Sequence, residues 1–81
     1  MEVKLFVRED CPACPAARRA CEGIANLSVY DLSDIQGIAE ASLLGVAVTP
    51  SVVVVDSSGH EVASWRGQTP DPAEIRAVLA N

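Results

Sequence analysis

The sequence predicts an α/β fold, a four-stranded mixed sheet with helices on both faces, its elements running β-α-β-α-β-β-α. Three observations lead there. Two β-rich runs, Val3 to Arg8 and Leu27 to Leu32, are joined by a helix-like stretch, and strands joined in this way pair in parallel through a right-handed crossover. Four consecutive valines after Ser51 mark a central buried strand. The turn Ser57-Ser58-Gly59 then sends the chain back through His60 to Trp65 as a hairpin, ahead of a last helix.

Each element has its local reason. Val3 to Arg8 alternates too little to have a polar face, so both its faces are buried. The first helix is predicted from Pro12 to Gly23 or Ile24, with Cys14, Ala17, Cys21 and Ile24 turned inward and Arg18, Arg19 and Glu22 outward. With Cys11 as N-cap, Pro12 falls at the first helical position, where its missing N–H costs nothing. Pro15 conflicts with that start, because it removes the first i→i−4 hydrogen bond. A distorted first turn, or a regular helix beginning near Cys14, is the expected result. Ser33 and Gln36 have capping-box spacing, and the helix they open is expected to bury Ile35, Ile38, Ala39, Ser42 and Leu43. Gly37 weakens it by about 0.5–1 kcal/mol relative to alanine, and Gly45 stops it. Ser51 to Asp56 is the third strand. Asp71, Pro72 and Glu74 stand at N-cap, N1 and N3 of the last helix, whose buried stripe is Ile75, Val78 and Leu79.

Length and composition bound the function. With 81 residues, 49% of them hydrophobic and 4% aromatic, one small domain spanning 1–81 with an aliphatic core is expected. The net charge of −5 and the lack of a basic run argue against nucleic acid. No apolar stretch is long enough to span a bilayer, and no signal-peptide pattern opens the chain, so no membrane role and a cytoplasmic location are expected. Three cysteines, two of them in Cys11-Pro12-Ala13-Cys14, do not form a disulfide framework. They point to thiol chemistry or to a metal. At a strand-to-helix junction the helix dipole favours a thiolate, and a thiolate beside a second thiol can exchange with disulfides. Cys21 reads as a small core hydrophobe. His60 reads as surface, and Trp65 as packed on the sheet or the last helix. Glu9 and Asp10 oppose a thiolate at Cys11, whereas Arg8 and Arg18 favour one.

The combination of Cys11-Pro12-Ala13-Cys14 after strand one, Gly45-Val46-Ala47-Val48-Thr49-Pro50 before strand three, Gly59 in the hairpin and Gly67 after strand four resembles the thioredoxin-like family in its minimal, glutaredoxin-sized form. The resemblance covers essentially the whole chain. It implies a minimal thioredoxin fold, and a cis Thr49-Pro50 peptide facing the cysteines that leaves the Thr49 backbone open to an extended substrate. It implies a dithiol–disulfide oxidoreductase in which Cys11 attacks and Cys14 resolves, with Pro12, Ala13, Val48, Thr49, Pro50 and Gly67 forming the substrate surface. Partners would be protein disulfides and either a flavoprotein reductase of the thioredoxin-reductase kind or glutathione. No cofactor, no metal and a monomer are expected. Two other readings share the same residues. One is a zinc or iron–sulfur module using Cys11, Cys14 and Cys21 or His60; the other is a non-catalytic peptide-binding adaptor.

The chain departs from the family in places. Asp10 stands where thioredoxins carry tryptophan, and Leu5 where they bury an aspartate. The segment Arg66 to Asp71 holds only part of the glutathione-gripping element of glutaredoxins, and Pro12-Ala13 lacks their tyrosine.

Overall fold

The computed structural model describes all residues, Met1–Asn81. Its elements are β1 (Glu2–Val7), α1 (Cys14–Ala20), β2 (Leu27–Asp31), α2 (Ile35–Leu44), β3 (Ser51–Val55), β4 (Glu61–Arg66) and α3 (Pro72–Leu79). The order is the predicted one, and the strands lie β2-β1-β3-β4 in one mixed sheet. β1 runs parallel to β2, with Val3 opposite Leu27 and Val7 opposite Asp31. It runs antiparallel to β3, with Phe6 opposite Ser51, and β3 pairs antiparallel with β4, with Ser51 opposite Arg66.

The alternation of β1 and β3 divides the core into two layers. Val3, Leu5, Val7, Val52 and Val54 pack against Cys14, Ala17 and Cys21 of the α1 segment and Ile75 of α3. Phe6, Val53 and Val55 pack against Leu32, Ala41 and Val46 on the α2 side. Phe6 also stacks on Tyr30, ring centroids 5.4 Å apart. Burial of both faces explains why these strands carry so few polar residues.

Helix starts and stops follow local chemistry, with two corrections. α3 begins as expected: the Asp71 carboxylate accepts from the Ala73 N–H at 2.9 Å. α2 ends at Gly45 in the left-handed conformation, φ 69°. The Ser33–Gln36 capping box, however, does not form. Asp34 is the N-cap of α2 and makes no side-chain cap. Asp31 has taken the Ser33 N–H on its own carboxylate at 2.8 Å, and this turn carries the chain one residue further before the helix begins.

The second correction is the face of α2. Gly37 and Ala41 are buried and Glu40 and Leu44 half-buried, whereas Ile35, Ile38 and Leu43 are exposed. The predicted inward stripe faces out. Gly37 explains the phase: a methyl group there would overlap the Asp31 backbone carbonyl, so the helix crosses the end of β2 at a distance only glycine permits. Glu40 follows inward and pairs with Lys4 of β1. The hydrogen bond to Glu40 raises the Lys4 pKa above 10.5 against the opposing effect of its burial.

Candidate active site

Cys11 and Cys14 are joined by a disulfide, with Cα atoms 5.3 Å apart. β1 delivers the chain to this point, and α1 carries it away with Cys14 as its first residue. Cys11 is not the N-cap that the sequence suggested; Ala13 is. Pro15 is the reason. It has no N–H to give the Cys11 carbonyl, so the chain makes a tighter turn there. The Cys14 N–H reaches the Cys11 oxygen at 3.2 Å, and the α-helical ladder starts with the Ala17 N–H on the Ala13 oxygen, also at 3.2 Å. The distorted first turn expected from Pro15 is therefore what forms, and α1 is only seven residues long.

The two sulfurs have unlike surroundings. Cys14 is 3% exposed and belongs to the α1-side core, whereas Cys11 is half-buried at its edge and flanked by exposed Pro12 and Ala13. Cys21, further along, is free and fully buried, and burial pushes its thiol pKa up. A cavity of about 230 Å³ lies beside the disulfide, lined by Val7, Arg8, Glu9, Cys11, Cys14, Pro15, Arg18 and Asp31. Next to it a wider depression is lined by the polar residues Arg8, Glu9, Asp10 and Ser33. Two guanidinium groups and two carboxylates thus share the inner cavity. Arg8, Arg18, Glu9 and Asp10 were legible as neighbours of the motif. Asp31 was not singled out and Ser33 was read only as a helix cap, although the parallel pairing of β1 and β2 brings the end of β2 to the same end of the sheet.

Thr49-Pro50 is a cis peptide. Ser51 follows and pairs with Phe6, so this loop leaves from the sheet end at which β1 delivers Cys11. It is tied down on both sides of Thr49. The buried Ser51 hydroxyl donates to the Val48 carbonyl at 2.7 Å, and the Gly67 N–H donates to the Pro50 carbonyl at 2.9 Å. Gly67 has φ 73°, and a Cβ there would stand 3.3 Å from Val48 Cγ2, so two independent constraints favour glycine. No backbone–backbone hydrogen bond engages Thr49 itself. Val48 is 49% exposed beside it. Seven of the predicted site residues therefore fall into two loops at the same end of the sheet, Cys11 to Cys14 and Val48 to Pro50, with Gly67 bracing the second; of the seven, Cys14 and Pro50 are buried.

The residues needed for the metal reading do not gather. Cys21 faces the core, and His60 sits on the β3–β4 turn, at the sheet end away from Cys11. No group of three or more His, Cys, Asp or Glu side chains is arranged to hold an ion. Leu5, on the strand leading to the motif, is fully buried among aliphatic side chains. Trp65 packs on the α1-side core, and its Nε1–H donates to Glu74 of α3 at 3.2 Å.

A four-stranded mixed sheet with this helix order and a bonded cysteine pair where β1 turns into α1 defines a thiol–disulfide oxidoreductase type of scaffold. The comparisons agree. A family profile described as thioredoxin domain matches residues 1–80, and the chain belongs to that family. Among solved structures, thioredoxin 1 from Thermosipho africanus TCF52B superposes with a TM-score of 0.72 at 16% identity, covering 99% of this chain and 91% of that one. A thioredoxin from Thermus thermophilus gives 0.67 at 22% identity over 96% of this chain and 70% of that one. The C-terminal domain of DsbD from Neisseria meningitidis, in its reduced form, gives 0.67 at 20% identity over 99% and 79%. At these identities the likeness is one of fold. No curated protein matches the sequence.

Proposed function

We propose that the chain is a cytosolic protein dithiol–disulfide oxidoreductase working through Cys11-Pro12-Ala13-Cys14. In the reducing direction, the Cys11 thiolate attacks one sulfur of a target disulfide. A mixed disulfide forms, and the other target sulfur leaves as a thiolate that takes up a proton. Cys14, after losing its own proton, attacks Cys11 Sγ, closes the intramolecular disulfide and releases the second target sulfur. The target gains two electrons and two protons, and the Cys11–Cys14 pair loses them. A reductase of the flavoprotein kind or glutathione restores the dithiol. Thr49 offers unpaired backbone groups for an extended target strand, with the exposed Pro12, Ala13, Val48 and Gly67 as the surrounding surface and Pro50 buried beneath it.

The observation that carries this reading is the asymmetry of the pair: one sulfur-bearing residue half-exposed, its partner buried at 3%. An exchange catalyst needs one accessible attacker and one sheltered resolver. Reduction of insulin by dithiothreitol, followed by turbidity, tests it. The parent is expected to accelerate the reaction and Cys11→Ser to abolish the acceleration. Cys14→Ser is expected to accumulate a covalent adduct with the target, visible by mass. Full activity in Cys11→Ser would end the proposal.

A further inference from the structure

Cys14 is buried, and the core cluster to which it belongs holds aliphatic side chains and the Cys21 thiol but no carboxylate or imidazole. Its polar surroundings lie on one side. The cavity of about 230 Å³ beside the disulfide is lined by both Cys11 and Cys14, together with the charged Arg8, Glu9, Arg18 and Asp31. A space of that size has room for several water molecules. Asp31 enters it from the end of β2. Phe6 and Tyr30 are paired across β1 and β2 and stack on the α2 side, so the next pair, Val7 and Asp31, turns to the α1 face on which Cys14 packs. The carboxylate is fixed there by one oxygen: Oδ1 accepts the Ser33 N–H at 2.8 Å, and Oδ2 accepts no hydrogen bond from the protein. No ion pair ties Asp31 to Arg8 or Arg18. The other carboxylate of the cavity, Glu9, is exposed, whereas Asp31 is half-buried.

We propose that Asp31 takes the proton of Cys14 when the mixed disulfide is resolved. The inference rests on the exchange chemistry proposed above and supplies the proton path which that chemistry needs. A buried thiol holds its proton, so Cys14 requires an acceptor before it can attack. The proton on Cys14 Sγ passes through cavity water to the Asp31 carboxylate. Cys14 Sγ then bonds to Cys11 Sγ, the bond from Cys11 Sγ to the target sulfur breaks, and the electron pair of that bond leaves with the target. The cavity also borders Cys11, so Asp31 returns the proton to the departing target thiolate and is ready again. The charged groups facing Asp31 are Arg8 and Glu9, from the segment after β1, and Arg18 of α1. Beyond it Ser33 and Asp34 are exposed, and α2 crosses at Gly37, which brings no side chain. Asp31 is therefore the one carboxylate that is both fixed in place and open to the cavity on its free oxygen.

Stopped-flow reaction of the reduced protein with a dithiodipyridine separates the two steps. Attack by Cys11 releases the first thiopyridone, and resolution by Cys14 releases the second in a phase independent of protein concentration. In the parent, the second phase should be nearly level between about pH 6 and 8, because a carboxylate takes the proton. Asp31→Asn keeps an oxygen for the Ser33 N–H and loses the acceptor. Its second phase should be at least about tenfold slower at neutral pH and climb about tenfold per pH unit, while the first phase stays within about twofold of the parent. Asp34→Asn removes the same charge outside the cavity and should leave both phases unchanged. Equal second phases in parent and Asp31→Asn, a slower phase with the parent's pH dependence, or a parent whose own second phase climbs tenfold per pH unit would each overturn the proposal and leave the exchange reading standing. A parent with no second phase would overturn both.

Discussion

The two layers on either side of the sheet were built by different means. On the α1 side, bulky and small apolar residues point where a 3.6-residue period sends them: Cys14, Ala17 and Cys21 are buried, and so is Ile75 of α3. On the α2 side, the helix approaches through Gly37 and Ala41, lays a carboxylate against Lys4, and leaves its isoleucines outside. The first layer follows hydrophobic periodicity. The second follows close approach, where the absence of a side chain decides the phase. The difference teaches that an apolar stripe at helical spacing does not by itself decide which face of a helix the core takes.

The sharpest way to break this comparison is Gly37→Ala. Helix propensity alone predicts a gain of about 0.5–1 kcal/mol. The overlap with the Asp31 carbonyl predicts instead a loss of more than about 3 kcal/mol, because backbone must move at a core crossing. Urea unfolding reads the sign directly. A gain would mean that α2 is not held against β2 as described.

Next in size is Glu40→Gln, which leaves Lys4 part-buried without its counter-charge. With side chains only 15% and 23% exposed, the Lys4–Glu40 pair is expected to contribute about 1–3 kcal/mol at neutral pH. The Lys4 pKa is raised in the folded state, so the contribution is complete below its ordinary value of 10.5 and disappears as pH rises through the higher folded value. The stabilities of parent and Glu40→Gln should therefore converge in strongly alkaline solution. Parallel curves across that range would remove the pair from the account.

The smallest expected effects contrast the two helix starts. Asp71→Ala removes the bond to the Ala73 N–H and should cost about 1 kcal/mol, whereas Ser33→Ala removes no cap and should change stability by less than about 0.5 kcal/mol. Thermal melts of the two variants side by side check this. A larger loss at Ser33 would restore the capping box.

These contrasts also show where the sequence was readable. The order of elements, the valine strand, the Asp71 cap and the Gly45 stop each rest on a local signal strong enough to survive folding. Pro15 announced the late start of α1, because a missing N–H is a covalent fact, but its end at Ala20, short of the expected Gly23 or Ile24, was not announced. The phase of α2 was not readable, because Gly37 and Ala41 contribute almost nothing to a hydrophobic pattern dominated by Ile35, Ile38 and Leu43. Ser33 and Gln36 had the right spacing for a cap, but Asp31 competed for the same N–H. At the site, the cysteine motif and Thr49-Pro50 stood out by residue type and spacing. Asp31 carries no motif and enters the cavity only through the parallel register of β1 and β2.

The account turns on Cys11 being the sulfur that incoming molecules can reach. The direct test is to reduce the protein, expose it to brief pulses of iodoacetamide, and locate the modification by peptide mass. Cys11 should be alkylated first, with Cys14 much slower and Cys21 unmodified until the chain unfolds. Labelling of Cys14 before Cys11, or of all three at one rate, would contradict the assignment of attacker and resolver.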